Sequence, residues 1–98
     1  MSTVKDEIYA ATSRIENVLT LYAEGWDSLG AKQEIENEIA LIAERMPFVT
    51  EKLSRIGFWG GILYSPRKWN PYTVNQVKAF IREDCASIRS AALRLPAE

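Results

Sequence analysis

Residues 31–57 read AKQEIENEIALIAERMPFVTEKLSRIG, and the apolar positions within them decide the fold class. Ile35, Ile39, Ile42, Met46, Val49, Leu53 and Ile56 follow one another at spacings of 4-3-4-3-4-3. Such spacing lays one narrow apolar stripe along a helix, and the alternation of a strand cannot produce it. The stripe runs through Pro47, which lacks an amide hydrogen and clashes with the preceding turn. The unbroken phase across it predicts either one helix over 31–56 kinked at Pro47 or two short helices nearly in line. Both halves are then expected to face the same surface, with Gly57 as the C-terminal stop.

The flanking segments repeat the pattern. Val4, Ile8, Ala11, Ile15, Val18 and Tyr22 make a second stripe, which predicts a helix over 3–24. Ser2 or Thr3 is placed to cap it, Asp6 and Glu7 lie near its positive end, and Gly25 stops it. The joint Gly25-Trp26-Asp27-Ser28-Leu29-Gly30 is short enough to favour antiparallel neighbours. Thr73 is placed to cap a last helix over 74–95, whose stripe is Val74, Val77, Ile81, Cys85, Ile88, Ala92 and Leu95, closed by Pro96. The expected fold is therefore all-α, a single 98-residue domain of three helices with a kinked second one.

Residues 57–72 depart from this regularity. They read Gly57-Phe58-Trp59-Gly60-Gly61-Ile62-Leu63-Tyr64-Ser65-Pro66-Arg67-Lys68-Trp69-Asn70-Pro71-Tyr72 and hold five of the ten aromatic residues. The glycines and prolines predict an exposed loop, and loops of this length inside a compact domain are usually functional or disordered. Phe58, Trp59, Ile62 and Leu63 read equally as a plug for the open end of a bundle or as a contact surface. Phe58, Trp59, Tyr64, Pro66, Arg67, Lys68, Trp69, Pro71 and Tyr72 are the candidate partner-binding residues, because large rigid side chains and arginine dominate binding hot spots.

Charge is distributed unevenly. Residues 1–56 carry six basic and ten acidic side chains, whereas residues 57–98 carry six basic and three acidic ones. Lys78, Arg82, Arg89 and Arg94 are candidates for a basic face on or near the last helix. A net charge of −1 suits neither a general nucleic-acid coat nor a DNA mimic.

Little in the sequence suits catalysis. Histidine, the commonest general base and metal ligand, is absent. The single cysteine, Cys85, falls on an apolar stripe and reads as a small buried hydrophobe. It excludes an internal disulfide and fits a reducing compartment. The glycines at 57–61 lack a following Lys-Ser/Thr and have no preceding strand, so they do not form a phosphate loop. Glu34 and Glu38 share a helix face, but two carboxylates without further oxygen ligands hold a cation poorly. The N-terminus lacks a basic start followed by an apolar core, and no apolar run approaches the roughly 20 residues of a membrane span. A cytoplasmic protein that is not an enzyme, with no cofactor and no metal, is the expectation.

The acidic start Met-Ser-Thr-Val-Lys-Asp-Glu, two helical stretches, the run from Gly57 to Pro71 and a basic final helix together resemble the anti-RecBCD accessory proteins of lambdoid phages. The resemblance covers the whole chain and contains no active-site motif. It implies a small phage protein that binds the host helicase–nuclease RecBCD, largely through RecC, and so favours phage recombination at DNA ends. It brings no catalytic residues. Two other readings stand beside it, a self-associating helical adaptor or assembly chaperone, and a weak nucleic-acid binder using the basic C-terminal half. Pro66 and Pro71, in a loop expected to be exposed, also suggest a host prolyl isomerase as a partner, since X-Pro bonds in flexible loops exchange slowly between isomers.

Overall fold

A computed structural model describes residues 3–21, 29–64 and 72–95. These form four α-helices and one 3₁₀ turn, with no strand among them: α1 (Val4–Leu21), α2 (Leu29–Arg45), the turn Pro47–Val49, α3 (Thr50–Leu63) and α4 (Val74–Leu93). The all-helical class stands, and the helix count rises from three to four.

The change originates at Pro47. Proline disfavours helical geometry in the residue before it, and Met46 sits at φ −136°, ψ 73°, outside the helical region. α2 therefore ends at Arg45, and Pro47 opens a single 3₁₀ turn, a position where its missing amide hydrogen costs nothing. The chain folds back at this turn, so there is neither a kinked helix over 31–56 nor two helices in line. A methyl group on Gly60 would meet the Ile35 side chain at 3.5 Å, and one on Gly57 would meet Ile39 at 3.6 Å. Residue numbers that rise along α2 thus meet numbers that fall along α3. The continuous stripe is real, but its two halves line neighbouring, antiparallel walls of one core.

The same ordering holds around the molecule. Glu7 pairs with Arg45 and Arg14 with Glu38 between α1 and α2. Arg55 pairs with Asp84, and Trp59 touches Phe80, between α3 and α4. Arg89 bonds Thr12 and Glu16 between α4 and α1. Each helix packs antiparallel on its neighbours, which is an up-down-up-down four-helix bundle. The interior holds Ile8, Ile15, Leu19, Ile35, Ile42, Met46, Ile56, Ile81 and Ile88, each almost fully buried. At about 1.5–3 kcal/mol per fully buried aliphatic side chain, these nine supply the main drive to fold.

A second correction concerns the glycines. α3 continues through Gly57, Gly60 and Gly61 to Leu63, so the first half of the expected loop is helix. Gly57 and Gly60 present bare backbone to α2, beside Ile39 and Ile35, which a methyl group at either position would touch at ordinary contact distance. The first and last helices come close to expectation. Residues 22–24 lie outside the described residues, Gly30 belongs to α2, and α4 is closed by Arg94. Thr73 caps α4 through a capping box: its hydroxyl accepts from the Gln76 amide at 3.1 Å, and the Gln76 side chain accepts from the Thr73 amide at 2.8 Å. No helix among the described residues is long and apolar enough to cross a membrane.

Candidate protein-docking site

Four aromatic rings gather on the outside of the α3–α4 seam. The third turn of α3 carries Phe58 and Trp59. On α4 the capping box fixes the chain immediately after Tyr72 and so sets that ring beside Phe80. Trp59 lies at the centre, 5.0 Å from Phe58, 5.0 Å from Phe80 and 5.5 Å from Tyr72 between ring centroids. Tyr72 and Phe80 close the group at 5.1 Å and 87°. Three of these four contacts are edge-to-face, the geometry that ring quadrupoles favour, each contributing about 0.5–1.5 kcal/mol beyond area burial. The cluster is thus held in shape without being buried: Phe58 is 59% and Tyr72 44% exposed.

The remaining candidate residues part company. Tyr64 is 2% exposed, and its hydroxyl donates to the Val18 carbonyl at 3.3 Å, fastening the end of α3 to α1. It belongs to the core and leaves the contact surface. Leu63 is buried in the core, Trp59 packs against the core with one side while its ring centres the aromatic cluster, and Phe58 faces solvent. Pro66, Arg67, Lys68, Trp69 and Pro71 lie outside the described residues, and the isomerase expectation with them.

The basic face is also reduced. Lys78, Arg82 and Arg89 share the α4 flank that faces α1, but spacing places Arg94 away from that flank. Arg89 is largely committed within the fold. Its Nε donates to the Thr12 hydroxyl at 2.9 Å, its guanidinium pairs with Glu16, and it lies over the Tyr9 ring at 5.3 Å.

Two buried polar residues escaped the sequence reading. Thr12 is fully buried, and its hydroxyl donates a hydrogen bond to the Ile8 carbonyl at 2.9 Å while accepting one from Arg89. Asp84 is 1% exposed in the α3–α4 seam; its Oδ2 stands 3.4 Å from Arg55 Nε and has no hydrogen-bond partner. Burial pushes the Asp84 carboxyl above its ordinary range, against the opposing pull of Arg55 and Lys52. Both residues fall on the apolar phase of their helices, and that was the available signal. Phe80 escaped too; it lies off the stripe of Val77, Ile81 and Cys85, as an aromatic on a polar flank.

Cys85 is fully buried, and burial pushes its thiol up to about 12, so it stays protonated and inert at neutral pH. Among the described residues no group of three or more Cys, Asp or Glu side chains gathers to hold a metal. What the α3–α4 surface offers chemically is a rigid apolar platform. No family model, no curated protein and no solved structure matches this chain.

Proposed function

We propose that the chain works by docking onto another protein through the Phe58–Trp59–Tyr72–Phe80 surface, without catalysing a reaction. The partner we propose is the bacterial helicase–nuclease RecBCD, engaged through RecC in the host cytoplasm and modified to favour phage recombination. The observation that carries the docking reading is the pair of largely exposed rings, Phe58 and Tyr72, braced by two half-buried ones. A bundle of this size gains nothing in its core from Phe58, whereas pre-ordered aromatic surface loses little entropy when a partner covers it. RecBCD is named by the likeness of the chain to the phage accessory proteins.

The test uses the tagged full chain, purified RecBCD and purified RecC. Co-elution on size exclusion with both is expected. Phe58→Ala should weaken binding about tenfold or more, with helix content and melting temperature unchanged. Absence of any complex refutes the partner. Wild-type affinity in both Phe58→Ala and Tyr72→Ala refutes the surface.

A further inference from the structure

The basic residues divide into two groups. Arg14, Lys32, Arg45, Arg55 and Arg89 each face a carboxylate. Among the described residues Lys5, Lys52, Lys78, Arg82 and Arg94 form no salt bridge, and three of these five, Lys5, Lys78 and Arg82, lie on the α1–α4 side. Lys78, Arg82 and Arg89 follow at spacings of four and seven along one flank of α4, and the bonds of Arg89 to Thr12 and Glu16 identify it as the flank beside α1. Lys5, one turn ahead of Tyr9 on α1, joins Tyr9, Arg89, Ala92 and Leu93 around a surface hollow of about 190 Å³. Tyr9 is 63% and Leu93 75% exposed at its edges. An apolar hollow is therefore edged by the unpaired Lys5 and the Glu16-paired Arg89, with the unpaired Arg82 and Lys78 farther along the same flank of α4.

We infer that this face is a second docking surface, and that its occupant is an acidic segment of a protein carrying one large apolar side chain. The hollow has room for a single leucine or phenylalanine side chain, and its walls are mostly aliphatic and aromatic carbon. Carboxylates on either side of that anchor are placed to meet Lys5 at one end and Arg82, roughly 13 Å along α4, at the other, with Lys78 one turn beyond adding longer-range attraction. Complementary charge of this kind steers encounter and fixes register, while the buried side chain supplies affinity. A nucleic-acid backbone fits less well. Arg89 already covers one face of Tyr9, the ring a base would stack on, and the Glu16 carboxylate beside it repels phosphate. The surface is independent of the aromatic cluster on α3–α4 and of the RecBCD reading.

The experiment titrates isotope-labelled full-length protein by NMR with acetyl-Asp-Glu-Glu-Leu-Asp-Glu-amide. Parallel titrations use the same peptide with Ser in place of Leu, and a short oligothymidine. Amide shifts should gather over 5–9 and 82–93, and the Leu peptide should bind about tenfold more tightly than the Ser peptide, the return on burying one aliphatic side chain. Lys5→Glu and Arg82→Glu together should abolish the shifts, and Leu93→Ser should erase the preference for Leu over Ser. Equal affinity of the two peptides overturns the proposal, as do shifts elsewhere, no shifts at all, or tighter binding of oligothymidine on this face.

Discussion

Asp84 and Arg55 form one ion pair with two very different ends, and removing either end should give opposite results. Asp84 is 1% exposed, whereas the Arg55 side chain is 45% exposed and can return to water. Arg55→Ala leaves a buried carboxylate whose Oδ2 already lacks a hydrogen bond and now also lacks its nearest cation. Breaking a fully buried pair in this way costs about 3–5 kcal/mol. Because solvent reaches Arg55 and Lys52 still acts on the group, a loss of about 1–3 kcal/mol is expected. Asp84→Ala removes the desolvated charge itself, frees Arg55 into solvent and forfeits only a short side chain. Its stability should stay within about 1 kcal/mol of the parent or rise above it. The double variant should match Asp84→Ala.

The pH dependence carries the same sign. A carboxyl held above its ordinary value in the folded state takes up a proton on folding, so its contribution improves as pH falls through the raised value. Urea melts at a series of pH values, from neutrality down through the upper carboxylate range, should show the gap between parent and Asp84→Ala changing in the parent's favour toward low pH. The reasoning fails if Asp84→Ala costs more than about 2 kcal/mol while Arg55→Ala costs nothing, or if the gap is flat with pH.

Three further outcomes are open to simple measurement. Gly57→Ala should raise stability by about 0.5–1 kcal/mol in urea melts, since a methyl there meets Ile39 at ordinary contact distance and alanine is the better helix former. Tyr64→Phe should cost about 0.5–1.5 kcal/mol by removing the bond to the Val18 carbonyl, with the aromatic cluster undisturbed. Cys85 in the folded protein should resist alkylation by iodoacetamide at mildly alkaline pH and react once urea unfolds the chain, which mass spectrometry reads directly.

Where the sequence reading succeeded, local and tertiary preferences agreed. The stripes of α1 and α4 were legible from periodicity, and Thr73 was legible as a cap because the capping geometry is local. At Pro47 the phase was legible but the direction was not. A chain that reverses over Met46-Pro47-Phe48-Val49 keeps the same 4-3 spacing as a chain that runs straight, because both faces line a single core. At Gly57, Gly60 and Gly61 propensity pointed to a loop, and the packing of α3 between α2 and α4 overrode it. The stripe did in fact continue through Ile56, Gly60 and Leu63 at 4-3 spacing, a signal that glycine hides because it adds no apolar side chain. Of the nominated surface, Phe58, Trp59 and Tyr72 were legible as unusual aromatics. The burial of Tyr64 was not, since it depends on where α1 ends.

The bundle's connectivity has a kinetic meaning. Three of its four seams join helices adjacent in the chain, so they close over short loops at little entropic cost and early in folding. The fourth seam, between α1 and α4, joins residues as far apart as Thr12 and Arg89 and can form only when both ends of the chain have arrived. A seam that closes last places the knot of Thr12, Glu16 and Arg89 as a late clasp, which is expected to slow unfolding more than it changes the folding rate. Cutting the clasp with Arg89→Leu would speed escape from the native state more than it delays entry to it. The lifetime of this fold is in that sense written at its two ends.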